Sequence, residues 1–297
     1  MQNVKHNSWQ AWFLAIRPKT LTGALTPVMI GTALASMDGH FQLFPAMICF
    51  LFAGLMQIAA NLINDLYDFL KGTDREDRLG PDRACAKGWI SPSEMKKGIL
   101  ITIILACMIG STLLALVGWK LIIIGLICVL FAFLYTTGPY PLSYNGWGDL
   151  LVLIFFGFIP VGGTYYVQAF ELNESVVMAS IISGLLINTL LVVNNYRDRE
   201  ADAKSGKRTL VVRFGETFGS YFYLTLGIIA SLICLFFSTK GHHLAAFLPQ
   251  LYLIPHFMTW RKMVQIHSGK KLNSILGETS RNILLMGILL SLGMLFS

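Results

Sequence analysis

The chain has 297 residues, of which 55% are hydrophobic and only 13% charged, with a formal net charge of +7. That composition leaves too little polar surface to cover a soluble core of this size, which excludes an ordinary water-soluble domain and makes lipid the expected solvent. The positive charge needs no nucleic-acid partner, because it is explained by where the basic residues fall along the chain.

In chain order, Met1 to Lys19 lacks an apolar stretch followed by a small-residue cleavage site, so no signal peptide is expected. Trp9, Trp12, Phe13 and Ile16 instead predict a short amphipathic helix at the membrane interface. Stretches free of Asp, Glu, Lys and Arg then run over 20–37, 39–64, 98–119, 121–148, 150–170, 175–196, 217–239, 241–260 and 282–297. Most reach the roughly 20 residues that a spanning helix needs, the first and last being marginal. Inside 121–148, Gly138-Pro139-Tyr140-Pro141 is a turn signal, so the fourth helix is expected to end near Thr136 and the fifth to begin near Trp147. The expected fold is all-α and integral to the membrane, with nine transmembrane helices. It forms a single domain over 1–297, with an interfacial segment at 1–19 and cap loops at 71–97 and 197–216.

Orientation follows from the retention of basic loops in the cytoplasm. With the N-terminus inside, 21 of the 23 Lys and Arg residues fall on the cytoplasmic side, Lys120 and Lys240 being the exceptions. The chain is therefore expected to cross a bacterial cytoplasmic membrane several times with its N-terminus in the cytoplasm. Cys49, Cys85, Cys107, Cys128 and Cys234 form no C-x-x-C pair and read as packing residues. The six histidines show no ligand spacing, so any metal is expected on oxygen donors.

Eleven of the sixteen acidic residues lie in two segments, 65–94 and 198–216. The first begins while the second helix is still apolar and puts Asn61, Asp65 and Asp68 on one helical face, at i, i+4 and i+7. The second puts Asn194, Asp198 and Asp202 on one face, at i, i+4 and i+8. Asn64-x-x-x-Asp68 and Asn194-x-x-x-Asp198 form a weak internal repeat, each at the inner end of an even-numbered helix, so both are expected to open on the same, cytoplasmic side. Carboxylates crowded at a membrane boundary repel one another and resist desolvation, which makes them functional candidates by default.

A hard cation relieves that repulsion. Magnesium prefers oxygen, keeps several waters and usually takes one or two carboxylates together with substrate phosphate oxygens. Asp65, Asp68, Asp198 and Asp202 are thus the expected metal ligands and catalytic residues, with Asp74 and Asp77 as further candidates. Asn64 and Asn194 would serve as neutral oxygen donors or orienting groups. Lys71, Arg75, Arg78, Arg83, Lys207 and Arg208 lie close by to neutralise a diphosphate. Glu76, Asp82, Glu94, Glu200 and Glu216 read as solvated or structural charges. Arg17 either meets an anionic substrate group or anchors the start of a helix, and Asp149 either caps the fifth helix or helps hold an acceptor. Tyr67, Tyr135, Tyr165 and Tyr196 read as packing before they read as carbocation-stabilising faces.

At these residues the chain resembles the UbiA superfamily of intramembrane prenyltransferases. The superfamily motif N-D-x-x-D-x-x-x-D is met by Asn64, Asp65 and Asp68 and departed from at Gly72, with Asp74 two residues on. That variant is similar to the branch acting on 1,4-dihydroxy-2-naphthoate. Further stretches agree with the branch: Arg17-Pro-Lys-Thr-Leu21, Asp77-Arg-Leu-Gly-Pro81, Tyr135-Thr-Thr-Gly-Pro139, Asn194-Asn-Tyr-Arg-Asp198 and Gly206-Lys-Arg-Thr-Leu210. The stretch from Tyr135 to Gly148 has no Lys or Arg, which counts against the 4-hydroxybenzoate branch. The resemblance implies magnesium, a polyprenyl diphosphate donor, 1,4-dihydroxy-2-naphthoate as acceptor, and loss of carbon dioxide on the way to demethylmenaquinone. An organic-anion transporter is the rival of another class, but its polar groups would lie near mid-membrane on broken helices, not at helix ends. The D-G-x-x-A-R spacing of phosphatidyl-alcohol transferases is absent.

Overall fold

The computed structural model describes residues 4–72 and 78–297, and among them every regular element is helical. Asp74, Arg75 and Asp77, candidates from the sequence, lie outside the described residues. The expected interfacial helix forms as α1 (Trp9–Ile16), capped by the Ser8 hydroxyl, with Ala11 and Ala15 buried and Trp9 and Phe13 exposed. Arg17 ends it in the left-handed conformation, φ 56°, and Pro18 at once opens α2 (Pro18–Met37). Proline suits that first position because its missing N–H would be unsatisfied anyway.

α3 (Leu43–Leu70) has 28 residues, about 42 Å of helix, and so outruns a bilayer core of about 30 Å. Its surplus carries the first acidic motif. A capping box of Ser91 and Glu94 starts α4 (Pro92–Ser111), which continues through the single turn α5 (Leu114–Val117). α6 (Lys120–Thr136) ends where the turn signal placed its end, and α7 (Gly148–Leu153) begins one residue beyond Trp147. α7 widens into a π-helical stretch, Ile154–Gly162, before α8 (Gly163–Ala169).

The second motif ends α9 (Glu174–Lys204), a 31-residue helix and the most deeply buried of the long ones. α9 is apolar nearly all round through its span, the pattern of a helix surrounded by others. It packs on α2, on the π-helical stretch, on α10 (Leu210–Cys234) and on α14 (Leu272–Leu295). Gly157 and Gly184 let the π-helical stretch and α9 close together: a Cβ on Gly157 would lie 2.4 Å from the Ser180 carbonyl oxygen. α11 (Phe236–Thr239), α12 (His243–Phe247), a 3-10 turn and α13 (Leu253–Ile266) complete the chain.

Seven of these segments are long and apolar enough to cross a membrane by length and composition, among the described residues. Of the nine expected, α6 has 17 residues and falls short, and the stretch from 243 to 266 is broken by the 3-10 turn over Leu248–Tyr252. The last helix starts at Leu272, ten residues before the charge-free run that predicted it. Glu278 enters it because Lys262 and Thr259 of α13 satisfy its carboxylate. Large apolar side chains such as Leu100, Ile101, Met108 and Leu130 face outward on α4 and α6, as lipid-facing positions do. At the end of the bundle away from the acidic motifs, Tyr165 and Asn173 both donate to Asp38, and Lys240 pairs with Glu174.

Candidate active site

The first motif is set by the last three turns of α3. Asn61 braces the junction of α1 and α2, donating to the Ile16 carbonyl and to the Thr20 hydroxyl, each at 2.8 Å. Asn64, one helical turn on, accepts the Thr136 hydroxyl from the end of α6. Asp65 is 1% exposed, and its two oxygens accept the backbone N–H groups of Ala84 at 2.8 Å and Cys85 at 2.9 Å. It thereby holds the loop between α3 and α4 against the helix. Asp68, 9% exposed, pairs with Arg83 of that loop at 3.0 Å.

Arg17 places a guanidinium nitrogen 3.9 Å from Asp65. Burial above all, and then the neighbouring Arg83, bring its pKa down to about 9, against an opposing pull from Asp65. Several guanidinium groups crowded on few carboxylates make this corner receptive to an anion.

The second motif mirrors the first. Asn194 faces the interior, while Asp198 is gripped by both edge nitrogens of its neighbour Arg197, at 2.8 and 2.5 Å. Asp202 pairs with Lys207 at 2.9 Å. The two motifs meet through lysines: Lys71 and Lys207 each lie 4.9 Å from the ring centre of Tyr144, one from either side of the site. Burial would lower the Lys207 pKa, but Asp202 and Asp68 outweigh it and raise it, so that one ammonium answers to both motifs. Burial lowers the Lys71 ammonium despite Asp68 nearby. Lys71 also donates to the Thr136 carbonyl.

The other expected residues are placed less centrally. Arg78 packs beside Gly80, close to Arg197. Arg208 uses its backbone N–H, 2.7 Å from the Tyr144 carbonyl, and leaves its side chain exposed. Asp149 stands in the first turn of α7, near Tyr135. Glu94 caps α4, and Glu216 joins Tyr196 and Arg199. All five cysteines are free thiols. Arg197, Tyr144 and Asn273 were missed by sequence reasoning. Arg197 adjoins Asp198 and was within reach of it, whereas nothing local marks the other two.

From this polar corner a cavity of about 830 Å³ runs into the bundle. Arg17, Asn61, Asn64 and Asn194 line its head, and apolar side chains such as Phe52, Met56, Phe155 and Phe156 line its body. Part of the wall is the π-helical stretch, a form that recurs at functional sites.

No three His, Cys, Asp or Glu side chains stand close enough to hold a metal ion by themselves, among the described residues. Asp68, Asp198 and Asp202 are instead paired with Arg83, Arg197 and Lys207. The donor set still fits magnesium, since each motif offers an amide oxygen and one or two carboxylates and leaves the remaining positions to water and phosphate.

An apolar cavity headed by cations and amides suits a molecule with an anionic head and a long hydrocarbon tail, which is the substrate type of intramembrane prenyltransferases. The comparison with known proteins agrees. Residues 24–282 match the UbiA prenyltransferase family, and the chain belongs to that family. It is an enzyme, an aromatic prenyltransferase. It is 41% identical over 232 residues to the 1,4-dihydroxy-2-naphthoate octaprenyltransferase of Escherichia coli K12, covering 76% of this chain and 75% of that one. To the protein of the same name from Haemophilus influenzae it is 35% identical, covering 96% and 95%. Its fold matches a UbiA homolog from Archaeoglobus fulgidus solved with GPP and Mg2+, with a TM-score of 0.62, 14% identity and 95% and 99% of the two chains covered. A UbiA homolog from Aeropyrum pernix K1 matches with a TM-score of 0.69 at 15% identity, covering 94% and 98%.

Proposed function

We propose that this enzyme transfers a polyprenyl group from polyprenyl diphosphate to 1,4-dihydroxy-2-naphthoate with loss of carbon dioxide. The observation that carries the proposal is that two Asn/Asp motifs, drawn together where Lys71 and Lys207 share the Tyr144 ring, present Asn64 and Asn194 to the head of an apolar cavity. The acceptor is supported by the names of the Escherichia coli and Haemophilus influenzae relatives. The fold relative bound to GPP and Mg2+ supports the donor and the metal.

Asp68, Asp198 and Asp202, with Asn64 and Asn194, are the residues that would hold magnesium, while Asp65 fixes the loop above them. Magnesium, when bound there, supplies positive charge that stabilises the departing diphosphate. Lys71, Lys207, Arg83 and Arg17 bind the same diphosphate and add to that stabilisation. Phe52, Met56, Phe155 and Phe156 receive the tail and keep water from the allylic carbon, which water would otherwise quench to a prenol.

The ring carbon bearing the carboxylate attacks the first carbon of the prenyl group as its bond to the diphosphate oxygen breaks. The resulting β-keto acid loses carbon dioxide, and the electron pair of that bond restores the aromatic ring. The product is the reduced form of demethylmenaquinone. Orientation of the acceptor carries much of the rate, and Arg17 and Asp149 are the groups that would provide it. In the same proposal, α6 and the broken stretch from 243 to 266 join the seven long segments as nine crossings of a bacterial cytoplasmic membrane, with both motifs and the N-terminus in the cytoplasm.

The test is to incubate the purified enzyme with magnesium, a polyprenyl diphosphate and either naphthoate or 4-hydroxybenzoate, following product mass and labelled carboxyl carbon. A prenylated dihydroxynaphthalene with release of the label is expected. A prenylated 4-hydroxybenzoate that keeps its carboxyl, with no naphthoate product, would overturn the acceptor assignment.

A further inference from the structure

Asn273 lies in the first turn of α14, in the C-terminal part of the chain where the sequence carries no recognised motif. Its Nδ2 donates to the carbonyl of Leu79, 194 residues away, at 2.8 Å. Its Oδ1 accepts from Nη1 of Arg197, 76 residues away, also at 2.8 Å. One side-chain amide therefore joins the loop that follows the first motif to the helix that carries the second.

What Asn273 touches on Arg197 gives the contact its meaning. A guanidinium is a rigid plane with its N–H groups in a fixed fork. Nε and Nη2 of Arg197 donate to the two oxygens of Asp198, and Nη1, on the other edge, goes to Asn273. Gly80 closes over the plane, where a Cβ would come within 2.9 Å of Nη2. Arg197 is 3% exposed, so neither water nor free rotation replaces these partners. Each carboxylate oxygen that has accepted one N–H keeps acceptor capacity on its other side. The plane of Arg197 thus sets the direction in which Asp198 presents what remains.

We propose that Asn273 is a positioning residue of the active site: by fixing the plane of Arg197 it aims the Asp198 carboxylate, and so sets the affinity of the second motif for magnesium and diphosphate. The inference rests on the proposed role of Asp198 in holding that pair. A single hydrogen bond to a buried charge corresponds to about a tenfold effect or more on binding.

The experiment uses the full chain in detergent with magnesium and geranyl thiolodiphosphate, a donor analogue that ionises very slowly, and measures its Kd by calorimetry. Steady-state KM values for donor and acceptor and the melting temperature are recorded alongside. Asn273→Ala is expected to weaken analogue binding and raise the magnesium requirement about tenfold, with the acceptor KM unchanged. Asn273→Ser, whose short hydroxyl spans only one partner, serves if the alanine variant is poorly folded. The deciding arm is a double-mutant cycle with Arg197→Lys, which keeps the charge but cannot form the fork. In that background the Asn273 substitution is expected to add little. An equal loss in both backgrounds, or a lowered melting temperature with unchanged analogue binding, overturns the proposal. Asp198→Ala separates the two ideas: if it binds the analogue normally, the site assignment itself has failed, and if it does not bind while Asn273→Ala keeps the wild-type Kd, only the positioning role has failed.

Discussion

Replacing Asp65 separates a loop anchor from a metal ligand, two roles that its motif position alone does not distinguish. Its oxygens take the amides of Ala84 and Cys85 at 2.8 and 2.9 Å in a site 1% exposed. Hydrogen bonds to a buried charge contribute about 1.5–3 kcal/mol each, so Asp65→Ala forfeits about 3–6 kcal/mol and leaves two amides unsatisfied. That loss falls on the segment from Leu79 to Ile90, which packs Ala84, Cys85 and Ile90 against Leu62, Ile63 and Leu66 of α3. Local opening of this cap is the expected result, with the apolar bundle left intact. Hydrogen exchange should show amides 84–90 losing protection by several orders of magnitude, while protection of α9 stays near wild type. Asp65→Asn should recover part of the effect, because its single carbonyl oxygen accepts one of the two amides. Full protection at 84–90 in an Asp65→Ala protein that has lost its magnesium response would refute the reasoning and make Asp65 a ligand.

Turnover should vanish in excess EDTA and return with magnesium, as an all-oxygen donor set requires of a hard cation; undiminished turnover in chelator would remove the metal from the site. Asp68→Ala and Asp198→Ala should each lose at least about 100-fold in kcat, the scale of about 3 kcal/mol seen on removing a key electrostatic stabiliser, measured on folded protein below the melting temperature, which falls because Arg83 and Arg197 each lose a buried partner. Near-normal rates in either would mean the carboxylates are wrongly chosen. Gly157→Ala should cost about 1–3 kcal/mol of stability, because its Cβ meets backbone at 2.4 Å, and a melting temperature equal to wild type would refute the close approach of the π-helical stretch to α9. In a cysteine-free background, Ser205→Cys should label from the cytoplasmic face and Glu171→Cys from outside, the latter chosen because Asn173 beside it caps α9. Labelling of both from one face would end the proposed topology.

The sequence by itself determined the solvent, the helical class and which Asn and Asp side chains share a helical face. Charge-free runs mark spans because an unpaired charge is costly in hydrocarbon, and paired Asn/Asp spacings stand out because nothing in lipid favours them. The end of α6 at Thr136 was legible from Gly138-Pro139 for a local reason: proline fixes its own φ and lacks an N–H, and glycine admits the positive φ of 93° that Gly138 adopts. The start of α14 was not legible, since Glu278 is tolerated inside it only because Lys262 and Thr259 of α13 wait across the interface. The division of labour among the carboxylates was decided by tertiary structure alone. Asp65 and Asp68 share one helix face and one motif, yet one is closed over by the amides of a loop some twenty residues away and the other pairs with the guanidinium of Arg83. Asn273 leaves no trace at all in the local pattern, because its two partners lie 76 and 194 residues away and only packing brings them within reach of one amide. Spacing along a helix fixes which side chains share a face, but what faces them comes from other parts of the chain, and that is settled only when the helices have packed.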